Sequence, residues 1–489
     1  MTGKNRIQLI TYPDALGGDL AALERLLDRH FPGLFAAIHI LPPFPSTGDR
    51  GFAPVTYREI DPRFGSWADV RRLSEKHDIL LDFMVNHVSR HSEYFQDFVK
   101  HGRSSLYADL FITLEKVWPG GTPNPDDLRK IFLRRPKTPF IDVPVEADGR
   151  TETVWATFGS ADWSEQIDID VNSPVGRGFI RDTLHFLAGQ GVAQLRLDAV
   201  AFVIKKAGTS CFLVEPEIDA FLTWIQEQAR EAGIDLLLEV HTTTSAQARL
   251  AGKGFRVYNF VLPLLVLHSL ESRISAALKA HLASAPRNQV TLLDCHDGIP
   301  VLPDIQGVLA EDDAQRIVDQ CIQCGAKVSR IYSPAHQAGG SFDAHQIDCT
   351  VYSALGCDDD AYIAARAIQF FSPGIPQVYY VGLLAGENAA EEIGLQKDDR
   401  AINRRNYSEA EVAQAVEKPV VQRLMRLMRF RNTYPAFDGT FSVLESSDSG
   451  LRLAWRQGVH ACRLEVDLER WTITIDYLDE EGEWTKWAP

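Results

Sequence analysis

The chain has 489 residues, of which 45% are hydrophobic and 24% are charged, and this is the composition of a globular protein long enough for one large domain with attachments. Its formal net charge is -16 and its sequence pI is about 5.4. This acidity excludes a global basic surface for nucleic acid and predicts repulsion from an anionic membrane, so an anionic substrate would need a local basic patch.

The seven cysteines are an odd number and include a single C-x-x-C pair, Cys321 and Cys324. The pair lies in a helix-like stretch without a second pair, so we interpret the cysteines as buried apolar residues, with a metal or redox role for this pair as the alternative. The N-terminus runs into a strand-like segment and shows no signal-peptide pattern. Because no apolar stretch reaches membrane-spanning length, the sequence predicts a cytoplasmic protein with reduced thiols.

Strand-like apolar segments alternate with helix-like segments along most of the chain. Segments 7–12 and 36–41 precede helical patterns at 21–31 and 67–77, and segments 193–199 and 236–240 flank another at 218–231. In total, strands are predicted near residues 8, 38, 81, 195, 237, 258, 291 and 379. Continuously apolar strands indicate burial on both faces, and eight of them favour an α/β fold of the (β/α)8 TIM barrel type over a doubly wound sheet.

Two long connections interrupt this alternation. Residues 88–175 show weak periodicity and predict an inserted subdomain over the active site after the third strand, and residues 300–350 predict an irregular, mobile loop region after the seventh strand, with Gly339 and Gly340 at its centre. From residue 436 onward, short alternating strands predict a small C-terminal antiparallel β domain over residues 436–489. The catalytic barrel is therefore expected over residues 1–87 and 176–435.

Four acidic segments, each at the end of an apolar run, carry the chemistry of the chain. They lie at 82–87, 196–200, 239–241 and 294–297. Strand C-termini of a β/α barrel converge on one pocket, so these segments are expected to meet there. The expected polar set is Asp198, Glu239, Asp297, His87, His296 and Arg196. Such a set is typical of glycosidic-bond chemistry, in which two carboxyl groups about 5 to 5.5 Å apart act as nucleophile and acid/base with retention of configuration.

The surroundings of each carboxylate suggest its role. Arg196, two residues before Asp198, would keep that carboxyl ionised as a nucleophile, and the apolar run before Glu239 favours a general acid. Taken singly, either carboxylate is more often a cap or an ion-pair partner; their joint order at strand ends favours catalysis. We interpret His241 as a support for the pocket wall, and no HExxH-type spacing indicates a metal site.

The four segments resemble the signature regions of the α-amylase family of retaining glycosidases (glycoside hydrolase family 13). Segments 8–14, 39–45, 207–212, 376–382 and 400–404 are similar to the sucrose phosphorylase branch, and the similarity runs from residue 7 to about 440. The resemblance implies transfer of glucose from an α-glucoside to Asp198 and then to inorganic phosphate, with Glu239 as acid/base and Asp297 as transition-state stabiliser, and without a metal or organic cofactor. The glucosyl-binding residues that it implies are Asp49, Phe52, His87, Phe158, Gln166, Arg196, His296 and Arg400.

Two loops, 133–137 and 340–346, are expected to line the acceptor half of the pocket. Sucrose phosphorylases are similar to this chain in both loops, but they carry proline at the position of Arg134 and tyrosine at the position of His345. At these two positions the chain instead resembles the sucrose 6F-phosphate phosphorylases. Arginine offers bidentate contacts to phosphate, and histidine adds a donor. The acceptor and phosphate residues implied are Arg134, Arg135, Lys137, Phe342, Asp343, His345 and Gln346.

The resemblance therefore implies a double-displacement phosphorylase of sucrose 6F-phosphate, with a small-molecule sugar or sugar phosphate and inorganic phosphate as partners, no nucleic acid or membrane, and a possible homodimer. The alternatives are a sucrose phosphorylase, a glucosylglycerol or glucosylglycerate phosphorylase, a hydrolase of the same family, and an inactive amylase-like binding protein. The alternative interpretation of the basic loop 133–137 is that its charged residues are solvated at the surface and have no binding role. Phosphorolysis also requires that the loops exclude water while admitting an anion.

Overall fold

The structure is a computed structural model that describes residues 5–159, 165–331, 342–396 and 398–487. In chain order its strands are β1 (Gln8–Thr11), β2 (Ala37–Ile40), β3 (Asp78–Met84), β4 (His87–Ser89), β5 (Phe140–Pro144), β6 (Thr151–Trp155), β7 (Gln166–Asp168), β8 (Val192–Asp198), β9 (Asp235–Leu238), β10 (Arg256–Asn259), β11 (Gln289–Thr291), β12 (Ile299–Pro300), β13 (Lys327–Arg330), β14 (Ala344–Asp348), β15 (Ile375–Tyr379), β16 (Thr440–Leu444), β17 (Gly450–Gln457), β18 (His460–Asp467), β19 (Thr472–Leu478) and β20 (Trp484–Trp487).

The α-helices span Leu20–His30, Trp67–Ser74, Glu93–His101, Leu114–Val117, Pro125–Lys130, Pro174–Gly189, Glu217–Ala232, Thr244–Gly252, Leu262–Ser272, Ala276–Ser284, Glu311–Gln323, Val351–Ala354, Asp359–Phe371, Tyr380–Leu383, Ala390–Gln396, Glu409–Ala415 and Pro419–Thr433. Short 3-10 helices lie at Asp49–Gly51, Gly102–Ser104, Ala108–Leu110, Val200–Phe202, Asp399–Asn403 and Pro435–Asp438. Local sequence signals set several boundaries: the side chain of Asp19 accepts from the Ala22 amide at 2.7 Å to cap the first helix, and Gly233, with a φ of 76°, ends the helix Glu217–Ala232.

Within the described residues, eight parallel strands close into a barrel in the order β1-β15-β11-β10-β9-β8-β3-β2. They coincide with the eight apolar segments of the sequence, so the predicted barrel is confirmed. Strands β1, β2 and β15 are buried along their whole length, as expected for strands covered on both faces.

By compactness the chain divides into two units. The first includes Ile40–Val240, with β3, β8 and β9, and has its own apolar cluster in the connection between β3 and β8. In that cluster the rings of Trp118 and Trp155 stack at 5.8 Å, next to the antiparallel pair β5 and β6. This connection also holds the short antiparallel pair β4 and β7. The limits 88–175 of an inserted subdomain stay a prediction.

The second unit includes 5–39, His241–Arg330 and 344–487. The residues of this unit that fall within the predicted loop region 300–350 are more regular than the sequence predicts, since they include the amphipathic helix Glu311–Gln323, and β12, β14 and β13 form an antiparallel sheet. Gly339 and Gly340, on which the predicted mobile loop depends, lie outside the described residues.

The C-terminal part of the second unit is the predicted antiparallel sheet, with strand order β16-β17-β18-β19-β20. Trp455 on β17 is buried and donates its indole N–H to the carbonyl of Phe371 at 2.7 Å. This contact joins the sheet to the helix Asp359–Phe371. No helix among the described residues has both the length and the apolar character to cross a membrane.

Candidate active site

A buried guanidinium holds three carboxylates at the end of β8. Strand pairing places Arg196 beside Asp82 of β3, and Asp198 follows two residues later on the same face of the strand. Nη1 of Arg196 lies 2.5 Å from Asp82 and 3.1 Å from Asp198, and its Nη2 lies 3.0 Å from Glu239. One cation therefore brings the two carboxylates predicted as nucleophile and acid/base together.

The three carboxylates differ in access. The side chains of Asp198 and Glu239 are 12% and 14% exposed, whereas that of Asp82 is fully buried. Asp82 is therefore the fully buried partner of Arg196, and the other two carboxylates remain partly accessible.

Glu239 lies in a more polar setting than the apolar run before it suggests. Its Oε1 pairs with Arg196, and its Oε2 accepts from the backbone N–H of Ala199 at 2.9 Å. Ala199 adopts a left-handed conformation, with a φ of 53°, directly after Asp198. The turn after β8 thus aims a backbone donor at Glu239.

His87 is held as a neutral imidazole beside this cluster. Its Nε2 donates to the carbonyl of Phe52 at 2.9 Å, because a carbonyl can only accept, and burial lowers the pKa of His87 although Asp168 opposes the shift. The ring of Phe158 lies 5.5 Å from that of His87, and the Arg196 guanidinium lies 5.8 Å from the ring of Phe52. Two predicted platform residues thus lie in the same part of the first unit.

Asp49 and Gln166 are positioned by tight backbone structure. Asp49 has a φ of 44° in a turn whose Gly51, at φ 113°, admits no side chain, because a Cβ there would lie 2.6 Å from the carbonyl of Pro42. Gln166 is buried and pairs with Ser89 between β4 and β7.

A buried lysine that the sequence analysis missed supports this region. Lys205 Nζ lies 2.7 Å from Asp168, 3.1 Å from Asn86 Oδ1 and 3.2 Å from Thr157 Oγ1. Both Lys205 and Asp168 have almost fully buried side chains. The sequence gives no signal for this ion pair, since Lys205 precedes another lysine and resembles a solvated surface pair.

The predicted acceptor loop 133–137 presents its basic residues in different ways. Arg135 is buried, and its guanidinium donates to the carbonyl of Thr138 at 2.6 Å and to that of Phe140 at 3.2 Å, so it braces the loop. Arg134 is half-buried and Lys137 is exposed. Arg134, Arg135 and Lys205 line one small cavity of about 10 Å³, which has room for one water molecule at most.

In the second unit, Asp297 lies next to two guanidiniums and an imidazole. Its Oδ2 lies 3.2 Å from His296 Nε2, and its Oδ1 lies 3.4 Å from Arg400 and 3.5 Å from Arg404. Asp398 pairs with both arginines at 3.2 and 3.6 Å. Burial alone would raise the pKa of Asp398, but the two guanidiniums outweigh it and lower that pKa. Arg404 and Asp398 were not predicted as site residues.

Cys295, His296 and Asp297 are the one group of described residues whose ligand atoms approach within 4.8 Å of each other, as a metal would require. Two guanidiniums beside Asp297 would repel a cation there, so we assign no metal to the group.

His345 lies on β14 within a buried aromatic and polar group. Its Nδ1 donates to the carbonyl of Leu302 at 2.6 Å, and its ring lies 5.6 Å from that of His241. His241 stacks on Phe260 at 4.1 Å and contacts Asp304 through Nδ1 at 2.9 Å. The neighbouring Gln346 pairs with Pro300 and Ser329 in the small sheet. Phe342 and Asp343 are half-buried, and the Asp343 carbonyl accepts from Ile331 in the first unit.

Comparison with known proteins identifies relatives over the whole chain. The family model for the catalytic domain of alpha-amylase matches residues 27–257. The chain is 53% identical over 487 residues to sucrose 6(F)-phosphate phosphorylase from Thermoanaerobacterium thermosaccharolyticum, covering 100% of both chains, and 44% identical over 480 residues to glucosylglycerol phosphorylase from Marinobacter adhaerens, covering 98% of both. The crystal structure of sucrose 6F-phosphate phosphorylase from Thermoanaerobacter thermosaccharolyticum superposes with a TM-score of 0.98 at 53% identity, covering 100% of this chain and 99% of that one.

A closed β/α barrel with carboxylates at its strand ends defines a catalytic domain for glycosyl chemistry. The relatives that match over the full length of the chain identify the family and branch within this class of enzymes. The chain belongs to the α-amylase family, in the branch of the sucrose phosphorylases, and is a hexosyltransferase.

Proposed function

We propose that this protein converts sucrose 6F-phosphate and inorganic phosphate into α-glucose 1-phosphate and fructose 6-phosphate. The observation that carries the proposal is the 53% identity to sucrose 6(F)-phosphate phosphorylase over the full length of both chains. Arg134 and His345, the two positions at which the chain departs from the sucrose phosphorylase pattern, support the same substrate. Arginine and histidine together supply donors and positive charge for a phosphate group.

The proposed reaction has two displacements. Asp198 attacks C1 of the glucosyl residue while Glu239 gives its proton to the departing fructosyl oxygen. A phosphate oxygen then attacks the same carbon, its proton passes to Glu239, and Asp198 leaves. Two inversions retain the α configuration. The shared guanidinium of Arg196, which lies within 3.1 Å of both carboxylates, supports this pairing of roles.

We assign the remaining roles by motif position. Asp297 is proposed as the transition-state stabiliser, and its contacts with His296 at 3.2 Å and Arg400 at 3.4 Å support a fixed position for its carboxylate. Asp49, Phe52, Phe158 and Gln166 are proposed to bind the glucosyl residue together with His87, His296 and Arg400. In the acceptor half, Arg135 is proposed to act with its loop, since its guanidinium donates to two carbonyls of the segment that carries Arg134.

The first test is a panel of α-glucosides assayed for glucose 1-phosphate in excess inorganic phosphate. It contains sucrose 6F-phosphate, sucrose, glucosylglycerol and glucosylglycerate. We expect the highest kcat/KM with sucrose 6F-phosphate. An equal or higher value for another donor would reject the proposed substrate, and release of free glucose in place of glucose 1-phosphate would indicate a hydrolase.

A second test addresses the phosphate contact through Arg134→Ala. Charge-assisted bonds to the phosphate would be lost, so kcat/KM for sucrose 6F-phosphate should fall about 10- to 100-fold while that for sucrose stays nearly unchanged. Arg150→Ala is the matched control, because the Arg150 side chain is 79% exposed and lies in another loop. Equal losses on both donors would remove Arg134 from substrate selection.

We infer a cytoplasmic location for this activity. All seven cysteines are free thiols, and five of them are buried. A chain with this many unpaired thiols fits a reducing compartment. Fractionation of the producing cells would test the inference, and recovery of the activity outside the cytoplasm would contradict it.

A further inference from the structure

Asp304 is a fully buried carboxylate to which the proposed reaction assigns no role. It accepts hydrogen bonds from His241 Nδ1 at 2.9 Å, from the Thr242 amide at 3.2 Å and from Gln247 Nε2 at 3.2 Å. Burial raises the pKa of Asp304, and the nearby His241 opposes that rise. Because a buried carboxylate is costly without a positive partner, this arrangement favours a proton on the imidazole.

The contacts of His241 fix both its ring plane and its tautomer. Its ring lies nearly parallel to that of Phe260, at 4.1 Å and 13°. When Asp304 is ionised it can only accept, so Nδ1 of His241 carries a hydrogen in that state of the pair. Nε2 is therefore the ring atom that gains or loses the second proton.

His345 provides an internal comparison. Its Nδ1 also carries a hydrogen, since it donates to the carbonyl of Leu302 at 2.6 Å. The two rings are 5.6 Å apart in an edge-on arrangement. The partner of His345 is neutral, whereas the partner of His241 is a carboxylate, so the protonated form is favoured at His241. The titratable groups near His241 include Asp304, His345 and, two residues earlier in the chain, Glu239.

We propose that Asp304 is a positioning residue that acts through His241: it stabilises the imidazolium form, so that the ring takes up a proton when the phosphorylated leaving group binds beside His345 and its Nε2–H donates to the phosphate. The inference rests on the proposed function and deepens it. A phosphate dianion needs donors, and two neutral imidazoles with their hydrogens on Nδ1 would offer it only lone pairs at Nε2. Protonation of His241, which Asp304 stabilises, turns the Nε2 of that ring from an acceptor into a donor.

The test compares wild type with Asp304→Asn, which keeps the shape and removes the charge. We expect the KM for sucrose 6F-phosphate and the Kd for fructose 6-phosphate to rise about 10- to 100-fold. Glucosyl transfer from α-glucosyl fluoride to phosphate should change little, because fluoride leaves without contacting the acceptor groups. Calorimetry of fructose 6-phosphate binding near pH 7, in two buffers of different ionisation enthalpy, should show proton uptake in wild type and much less in the variant.

A second measurement uses wild type, so it does not depend on how Asp304→Asn folds. In protein labelled with 15N-histidine, fructose 6-phosphate should leave one imidazole doubly protonated, and that signal should be missing in His241→Asn. The inference alone is refuted if wild type prefers sucrose 6F-phosphate but binds fructose 6-phosphate without an imidazolium signal. It is also refuted if Asp304→Asn loses activity equally with the fluoride donor. A wild type without any preference for the phosphorylated donor refutes both this inference and the proposed function.

Discussion

Glu239 contacts the Arg196 guanidinium and the backbone N–H of Ala199, and its proposed role is to donate a proton to the leaving group. Glu239→Gln removes that proton while an amide can still occupy the place between Arg196 and Ala199. We expect kcat with sucrose 6F-phosphate to fall about 10²- to 10⁴-fold, because the fructosyl oxygen needs protonation. Formation of the glucosyl enzyme from α-glucosyl fluoride should remain fast, which rapid-quench kinetics would measure.

The matched control is Glu227→Gln on the exposed face of the helix Glu217–Ala232, which should leave both rates unchanged. If the fluoride donor slows as much as the natural donor, Glu239 does not act as the general acid.

Asp348 gives a pH prediction for stability. Burial raises the pKa of this carboxyl from 3.8 to about 7, although Arg400 and Arg404 oppose the rise, and its Oδ1 has no hydrogen-bond partner. Between pH 4 and 7 the native state binds more protons than the unfolded state, so this stabilising contribution is complete below about pH 4 and is lost as pH rises through about 7. The shift corresponds to at most about 4 kcal/mol.

Asp348→Asn should therefore match wild type near pH 4 and exceed its unfolding free energy by up to about 4 kcal/mol at pH 8. Urea unfolding at several pH values would measure the difference. Asp148→Asn, at an exposed loop position, is the control and should show no pH-dependent gain. A variant less stable than wild type at pH 8 would show that the ionised Asp348 is favourable in the fold.

At the residue scale, the sequence indicated the polar residues that directly follow apolar strands, but it did not indicate the buried residues that position them. Asp198 and Glu239 are visible because each ends a buried strand, and strand ends are where a barrel places its polar groups. Asp304, Lys205 and Arg404 lie in segments without strand periodicity. Their partners are distant in sequence, as with the 63 positions between His241 and Asp304, so only folded contacts reveal them.

Among the elements, the C-terminal sheet has a buried aromatic contact with the helix Asp359–Phe371. Trp455 is buried, donates to Phe371 and packs 5.3 Å from Phe441 and 5.8 Å from Phe437. Trp455→Ala should lower the unfolding free energy by about 3–5 kcal/mol, because it removes a large buried side chain and leaves a carbonyl without its donor. Urea denaturation followed by far-UV circular dichroism would measure the loss.

Trp484 is the matched aromatic control. It lies on β20, is 46% exposed and stacks under Arg463 at 4.5 Å, so Trp484→Ala should cost about 1 kcal/mol or less. Similar losses for the two tryptophans would mean that the burial and the hydrogen bond of Trp455 add little to the stability of the sheet.

Elements were predictable where their periodicity was strong and local. The barrel strands and the helices Leu20–His30 and Glu217–Ala232 follow clear apolar patterns. The two-residue β12 and the outer strands β16 and β20 are too short or too exposed to give such a pattern. The helix Glu311–Gln323 was seen only as a helix-like stretch around the cysteine pair, without bounds, because its polar face carries most of its residues and only Ala314, Ile317, Val318 and Cys321 are buried.

For the molecule as a whole, net charge and fold class were readable from the sequence, and substrate was readable only through resemblance. A chain of charge -16 must concentrate cations to hold a phosphate, and Arg134 and His345 stand out against that background. Physical reasoning alone supports glycosyl chemistry at the strand ends. The proposal of a phosphorylated donor depends on two side chains. The donor panel and the Arg134→Ala variant therefore test the identity of the substrate more directly than the structure of the barrel does.

The sharing of Arg196 among Asp82, Asp198 and Glu239 constrains how this lineage can diversify. Neutralising any one of the acids alters the hold on the other two, so substitutions at these positions should combine non-additively. Single replacements at these positions should therefore lose activity in directed evolution, whereas compensated double replacements can retain it. Such epistasis would keep the donor half of the enzyme fixed while the acceptor loops drift toward new leaving groups.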